Sequence, residues 1–166
     1  MKVFALEGEA GLTPGAVHEM MNSAWGLALD NLYFVIDWND FGIDDYPVSS
    51  VVAGSLADLF VSHGWRVAGT ESGSEWGAVA QAFVSILYGE NPGRAPSMIW
   101  LKKRKGRGYL KYDNASHGAP HAMNSELFWQ TKREFADQYD AQFVNFGGRA
   151  PAEPAALKGE GTPTTL

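Results

Sequence analysis

An α/β fold with a mostly parallel sheet and helices on both faces is predicted by three features of this 166-residue chain. Short continuous apolar runs alternate with stretches whose apolar residues recur every three or four positions. The connections between the runs are too long for hairpins, which makes the strands parallel. The second run is apolar throughout, the pattern of a strand covered on both faces.

Residues 3–6 read as a buried first strand, followed by the glycine-bearing turn Glu7-Gly8-Glu9-Ala10-Gly11-Leu12. Thr13-Pro14 offers an N-cap and a proline for the first helical turn. Val17, Met20, Met21, Ala24, Leu27 and Ala28 then mark one face of an amphipathic helix that Asn31 ends. Residues 32–36 form the second strand. Leu56, Leu59 and Phe60 lie on a short helix closed by Gly64, and residues 65–68 form the third strand. Ser74 is placed to cap a helix carrying Trp76, Val79, Ala80, Phe83, Ile86 and Leu87. Residues 96–101 make the fourth strand and residues 125–139 the last helix.

The tail has no apolar period and is rich in Ala, Pro, Gly and Thr, which predicts disorder. The expected organisation is one ligand-binding domain over residues 1–146 and a disordered tail over 147–166. Because the first strand has nothing before it, the sheet is expected to be truncated at its N-terminus. The other reading is a small four-stranded domain complete in itself.

Composition narrows the function. At 45% apolar and 19% charged the chain is ordinary globular protein. A net charge of −6 argues against nucleic acid as a partner, since phosphate backbones are bound by basic surfaces. The run Lys102-Lys103-Arg104-Lys105-Gly106-Arg107 reads instead as a solvated loop, or as a face turned to an anionic ligand. No apolar run approaches the roughly 20 residues that span a bilayer, so no membrane is expected. The N-terminus does not read as a signal peptide. With no cysteine there are no disulfides or thiolate metal sites, which fits a cytoplasmic location. Trp25, Trp76 and Trp129 read as core or interface residues, and His18, His63 and His121 as surface or packing residues.

Chemistry is expected at the carboxyl ends of the strands, where open α/β sheets gather ligands. Two loops emerge there: Gly8-Glu9-Ala10-Gly11 after the first strand, and Asp37-Trp38-Asn39-Asp40-Phe41-Gly42 after the second. An acid from one and an amide from the other can converge on a hard cation such as magnesium, which prefers oxygen ligands and shares phosphate oxygens. The free N–H groups opening the first helix would seat that phosphate.

Six stretches, in order, resemble the transketolase family. Gly8-Glu9-Ala10-Gly11-Leu12-Thr13-Pro14-Gly15 stands where that family has its Gly-Asp-Gly motif, and Leu29-Asp30-Asn31-Leu32 resembles the lead-in to its next strand. Asp37-Trp38-Asn39-Asp40-Phe41-Gly42-Ile43-Asp44 is similar to the second half of the motif. From Glu9 to Asn39 is 39 − 9 = 30 positions, as the motif asks. His63-Gly64-Trp65-Arg66-Val67 and His117-Gly118-Ala119-Pro120 complete the set, with Gly106-Arg107-Gly108 where the family has a Gly-x-Gly loop.

The resemblance implies the N-terminal, diphosphate-binding domain of a thiamine-diphosphate enzyme that transfers two-carbon ketol units between sugar phosphates. It implies magnesium ligands at Glu9, Asn39 and the Phe41 carbonyl. Gly8 and Ala10 would approach the diphosphate, Ile43 and Lys105 would lie along the cofactor, and His117 would sit near the reacting carbonyl as a catalytic group. The glutamate that contacts the aminopyrimidine ring lies in a second domain in this family. A partner chain carrying that pyrimidine-binding domain is therefore expected, in a homo- or hetero-oligomer, and the chain alone is expected to be inactive.

Departures from the family pattern carry their own expectations. Glu9 replaces aspartate and is longer by about 1.5 Å. Ala10 replaces glycine and must keep φ below zero or accept strain. Pro14 replaces a glutamate of the dimer contact, and Asp40 adds negative charge beside a cation site. Two other readings are a non-catalytic binding or scaffold domain that kept the fold, and a nicotinamide-dinucleotide domain with Asp37 on the ribose.

Overall fold

A computed structural model describes residues 1–42, 46–110, 113 and 120–141. The chain divides into two compact units, Met1–Lys105 and Gly106–Leu166. The expected boundary between residues 146 and 147, and the expected tail, lie outside the described residues.

In the first unit, four strands and three helices alternate: β1 (Val3–Gly8), α1 (Ala16–Gly26), β2 (Leu32–Trp38), α2 (Leu56–Ser62), β3 (Arg66–Thr70), α3 (Trp76–Tyr88) and β4 (Ser97–Lys102). The sheet order is β1-β2-β4-β3, and all three strand pairs are parallel. Alternation along each strand sends side chains to opposite faces. Ile36 and Met98 meet Met21 and Ala24 of α1 and Leu56 and Phe60 of α2 on one face. Tyr33, Val35 and Ile99 meet Ala82 and Ile86 of α3 on the other. The switch of face has a topological reason. The chain moves outward along the sheet from β1 to β2 to β3, then steps back to β4. A right-handed crossover taken in the reverse direction lays its helix on the opposite face.

Local signals explain most boundaries. The Ser55 side chain accepts hydrogen bonds from the N–H groups of Ala57 and Asp58 and starts α2. Gly64 ends it with φ +77, a conformation in which a Cβ is strained, and its N–H donates to Val61 O at 2.9 Å. The Trp25 indole lies over Gly64, so closely that an added Cβ would come within 2.5 Å of Nε1. Trp65 is buried and its Nε1–H donates to Met21 O at 3.0 Å, tying the start of β3 to α1.

Several expectations are corrected. The first strand is not buried: Val3, Phe4 and Leu6 are 45, 46 and 80% exposed, because β1 is the edge of the sheet and pairs only with β2 among the described strands. Thr13-Pro14 does not open α1, which begins at Ala16 behind Gly15. Thr13 instead closes the turn before it, its hydroxyl donating to Ala10 O at 3.0 Å. The third helix starts behind Glu75 rather than Ser74. Of the tryptophans read as core or interface, Trp25 and Trp76 are 56 and 80% exposed and so are not core.

In the second unit the described helix is α4 (Glu126–Tyr139), capped by Ser125, whose hydroxyl accepts from Phe128 N–H at 3.2 Å. His121 is buried, stacks on the Tyr109 ring at 4.2 Å and donates its backbone N–H to the Tyr109 hydroxyl at 2.8 Å. Trp129 is buried, as expected of a core residue.

Candidate functional site

Register brings the two loops together. Gly8 lies opposite Asp37, and Trp38 opposite Lys102, so β1, β2 and β4 end side by side at one edge of the sheet. Immediately after β1 the chain winds into a 3-10 turn, Glu9–Leu12, whose first side chain is carried inward. Glu9 is 1% exposed.

A buried carboxylate is costly unless its oxygens are satisfied. Glu9 meets that condition through the loop after β2. Its Oε2 accepts from Asn39 N–H at 3.1 Å and its Oε1 from Phe41 N–H at 3.2 Å. Asn39 Oδ1 also accepts from Phe41 N–H at 3.1 Å, while its Nδ2 donates to Asp37 Oδ1 at 3.1 Å. At the carbonyl of the same residue, Lys105 Nζ donates to Phe41 O at 3.2 Å. Three of the expected ligand residues, Glu9, Asn39 and Phe41, therefore sit together, with Lys105 beside them.

The basic run continues the pattern. Lys103 Nζ pairs with Asp37 Oδ2 at 2.8 Å, and the Lys102 ammonium lies 4.5 Å over the Trp38 ring. Part of the run is thus turned onto the second loop and neutralised there. Asp37, which a dinucleotide site would direct at a ribose, is engaged by Lys103 and Asn39. Asp40 shapes the same loop. It adopts φ 62, a left-handed conformation that aspartate tolerates. Both its oxygens serve Ser49, accepting from the backbone N–H at 2.9 Å and the hydroxyl at 3.0 Å. These two bonds hold the carboxylate in a turn beside the loop that carries Asn39.

Ala10 lies inside the 3-10 turn and is absent from the positive-φ positions, so the loss of glycine there causes no backbone strain. Gly8 is extended, with φ −83 and ψ 151. Two clefts adjoin the junction. One, of about 420 Å³, is lined by Leu6, Gly8, Val35, Asp37, Asn39 and Lys103, among others. The other, of about 530 Å³, includes Ala10, Thr13, Gly42, Tyr46 and Val48. Ile43 and His117 lie outside the described residues.

The donors at the junction are a carboxylate, an amide oxygen and a peptide carbonyl, all hard oxygens. That donor set fits magnesium, which takes oxygen ligands and leaves positions to phosphate and water. Among the described residues there is no group of three or more His, Cys, Asp or Glu that could hold a metal ion. A cation here would rest on one carboxylate and two neutral oxygens.

Sequence reasoning missed two participants. Lys103 was one of several lysines in a run, and only the parallel pairing of β2 with β4 selects it for Asp37. Glu7 was an ordinary turn residue. In the structure its side chain folds over Gly11, where an added Cβ would come within 2.7 Å of its carboxyl carbon. Its Oε1 accepts from Gly8 N–H at 3.0 Å. The small residue at position 11 was the available signal.

Fold and junction together define a parallel α/β domain with a polar site at the carboxyl edge of its sheet, built from two loops thirty residues apart. The chain belongs to the transketolase family, matching over residues 1–145 the family described as the transketolase thiamine diphosphate binding domain. A transketolase of Streptococcus pyogenes serotype M6 is 30% identical over 118 residues, which are 70% of this chain and 16% of that protein. The solved transketolase of Leishmania mexicana superposes with a TM-score of 0.71 at 22% identity, covering 81% of this chain and 20% of the other. That of Campylobacter jejuni gives 0.68 at 22% identity, over 80% of this chain and 20% of the other. A Pichia stipitis transketolase solved with sedoheptulose 7-phosphate gives 0.67 at 22% identity, over 81% and 19%. The chain thus spans about a fifth or less of these relatives, and the structural likenesses speak to fold. No described helix is long and apolar enough to cross a membrane.

Proposed function

We propose that the chain is the thiamine-diphosphate- and magnesium-binding part of an enzyme that transfers two-carbon ketol units between sugar phosphates. The observation that carries this reading is the convergence of Glu9 and Asn39 on the amide of Phe41. Glu9, Asn39 Oδ1 and Phe41 O would hold magnesium, and Gly8 and Ala10 would let the backbone approach the diphosphate. Lys105, beside Phe41 O, brings a positive charge to an anionic ligand. Ile43 and His117 keep the roles the family pattern implies, along the cofactor and at the reacting carbonyl. When bound, thiamine diphosphate supplies the electron sink for breaking and forming carbon–carbon bonds next to a carbonyl. The chain's own residues hold the anion, set its position and complement its charge.

In this reading residues 1–146 are the binding domain and 147–166 a tail. The glutamate for the aminopyrimidine comes from a partner chain with a pyrimidine-binding domain, in a cytoplasmic homo- or hetero-oligomer. Exposed Leu6, Trp76 and Tyr88 support association.

One observation favours a second reading, a scaffold domain that kept the fold. Both oxygens of Glu9 are already satisfied by backbone N–H groups, so the carboxylate holds the two loops together without any cation. Calorimetric titration with thiamine diphosphate, with and without magnesium, separates the two. Magnesium-dependent heat that Asn39→Ala abolishes supports the cofactor-binding reading. No heat at millimolar ligand, with or without a transketolase pyrimidine-domain partner, leaves the scaffold.

A further inference from the structure

Away from the junction, two histidines meet. His18 lies in α1 and His63 follows α2, and both helices cover the same face of the sheet. His18 Nδ1 is 3.4 Å from His63 Nε2, with ring centroids 5.3 Å apart. His63 is held from behind: its Nδ1 is 2.9 Å from Leu59 O. A carbonyl only accepts, so Nδ1 carries the proton and Nε2 of the neutral ring presents its lone pair toward His18. Metal-ligating histidines characteristically donate their second ring N–H in this way, which fixes the tautomer and raises ligand basicity.

We propose that His18 and His63 form a zinc site that bridges α1 to the end of α2. Imidazole nitrogens bind Zn²⁺ at about 2.0–2.1 Å in tetrahedral geometry, which sets two ligand nitrogens about 3.3–3.4 Å apart. Neighbouring positions of a square-planar ion at the same bond length would stand about 2.9 Å apart. The observed 3.4 Å matches the tetrahedral value. His18 is exposed, and with its own proton on Nε2 its Nδ1 offers a second lone pair at that spacing. Water completes the shell. The site is separate from the oxygen donors at Glu9, which suit a harder cation.

Without zinc, the two rings share at most a long N–H···N contact. With zinc they become a cross-link between two residues 45 positions apart in sequence, one on α1 and one at the end of α2. A ligand that binds only the folded chain raises its melting temperature by mass action.

The test is zinc titration of the full chain, followed by calorimetry and by the imidazole resonances of the histidines. Expected are one zinc per chain at micromolar concentration, joint shifts of the His18 and His63 resonances with His121 unmoved, and a higher melting temperature. His18→Ala, at an exposed position that leaves the fold intact, weakens zinc binding by about tenfold or more. His63→Gln does the same, while His121→Gln leaves it unchanged. Saturation only at millimolar zinc, affinity indifferent to His18→Ala, or one zinc per two chains would each overturn the proposal.

Discussion

The carboxylate of Glu9 spans from the loop after β1 to the loop after β2, accepting from Asn39 N–H at 3.1 Å while buried to 1% exposure. A second bond, to Phe41 N–H, makes the side chain a clasp between two loops thirty residues apart. Aspartate at this position would be one methylene shorter, so the clasp and any metal-binding role make different demands on length.

That difference is measurable. Glu9→Asp is expected to lower the stability of the metal-free chain by about 1–3 kcal/mol, because buried N–H groups lose a charged acceptor. Magnesium-dependent cofactor binding is expected to survive. Urea unfolding and calorimetric titration on the same preparation read the two effects separately. Glu9→Gln should lower both, since its NH₂ group would face a loop N–H.

Asp40 gives a cleaner structural test, because its carboxylate serves Ser49 through both oxygens. Asp40→Gly keeps the left-handed backbone and removes both hydrogen bonds. A loss of about 1 kcal/mol is expected by chemical denaturation. Asp40→Ala should cost more, since alanine also resists φ 62.

The pair of Asp37 and Lys103 is partly exposed, at 42 and 39% of side-chain area. Asp37→Asn is therefore expected to change stability by no more than about 1 kcal/mol, with the effect fading in high salt. Unfolding midpoints at low and high sodium chloride check this.

The Trp100 ring covers Gly69, where an added Cβ would collide with ring carbons and with Trp100 O. Gly69→Ala is expected to destabilise by at least about 1–3 kcal/mol, because backbone as well as side chain must move. Thermal melting and the tryptophan fluorescence maximum would report it. Phe60→Ala, at 0% exposure, is expected to cost about 3–5 kcal/mol for the opposite reason, a cavity between α2 and the sheet.

Association is the last expectation. Leu6 on the sheet edge and Trp76 and Tyr88 on α3 are all at least 80% exposed. Sedimentation velocity on the purified chain should show species larger than a monomer, and Leu6→Lys with Trp76→Lys should reduce them.

The sequence by itself determined the alternation of strands and helices, because apolar period is a local property that each segment carries unaided. It also placed Glu9 and Asn39 on adjacent strand ends at a spacing of thirty, since parallel strands joined by one helix must finish at the same edge. The start of the last helix at Ser125 and Gly64 as a helix stop were legible for the same local reason. What only the tertiary structure decided was non-local. β4 inserts between β2 and β3, which puts α3 on the second face and brings Lys103 to Asp37. β1, apolar enough to read as buried, lies at the edge because pairing order leaves no described strand beyond it. Asp40 turned to Ser49, and His18 met His63, through loop and helix placements that no spacing encodes. A side chain's type and period follow from its own segment. Its partner depends on which distant segment packing brings within about 3 Å, the range over which hydrogen bonds form.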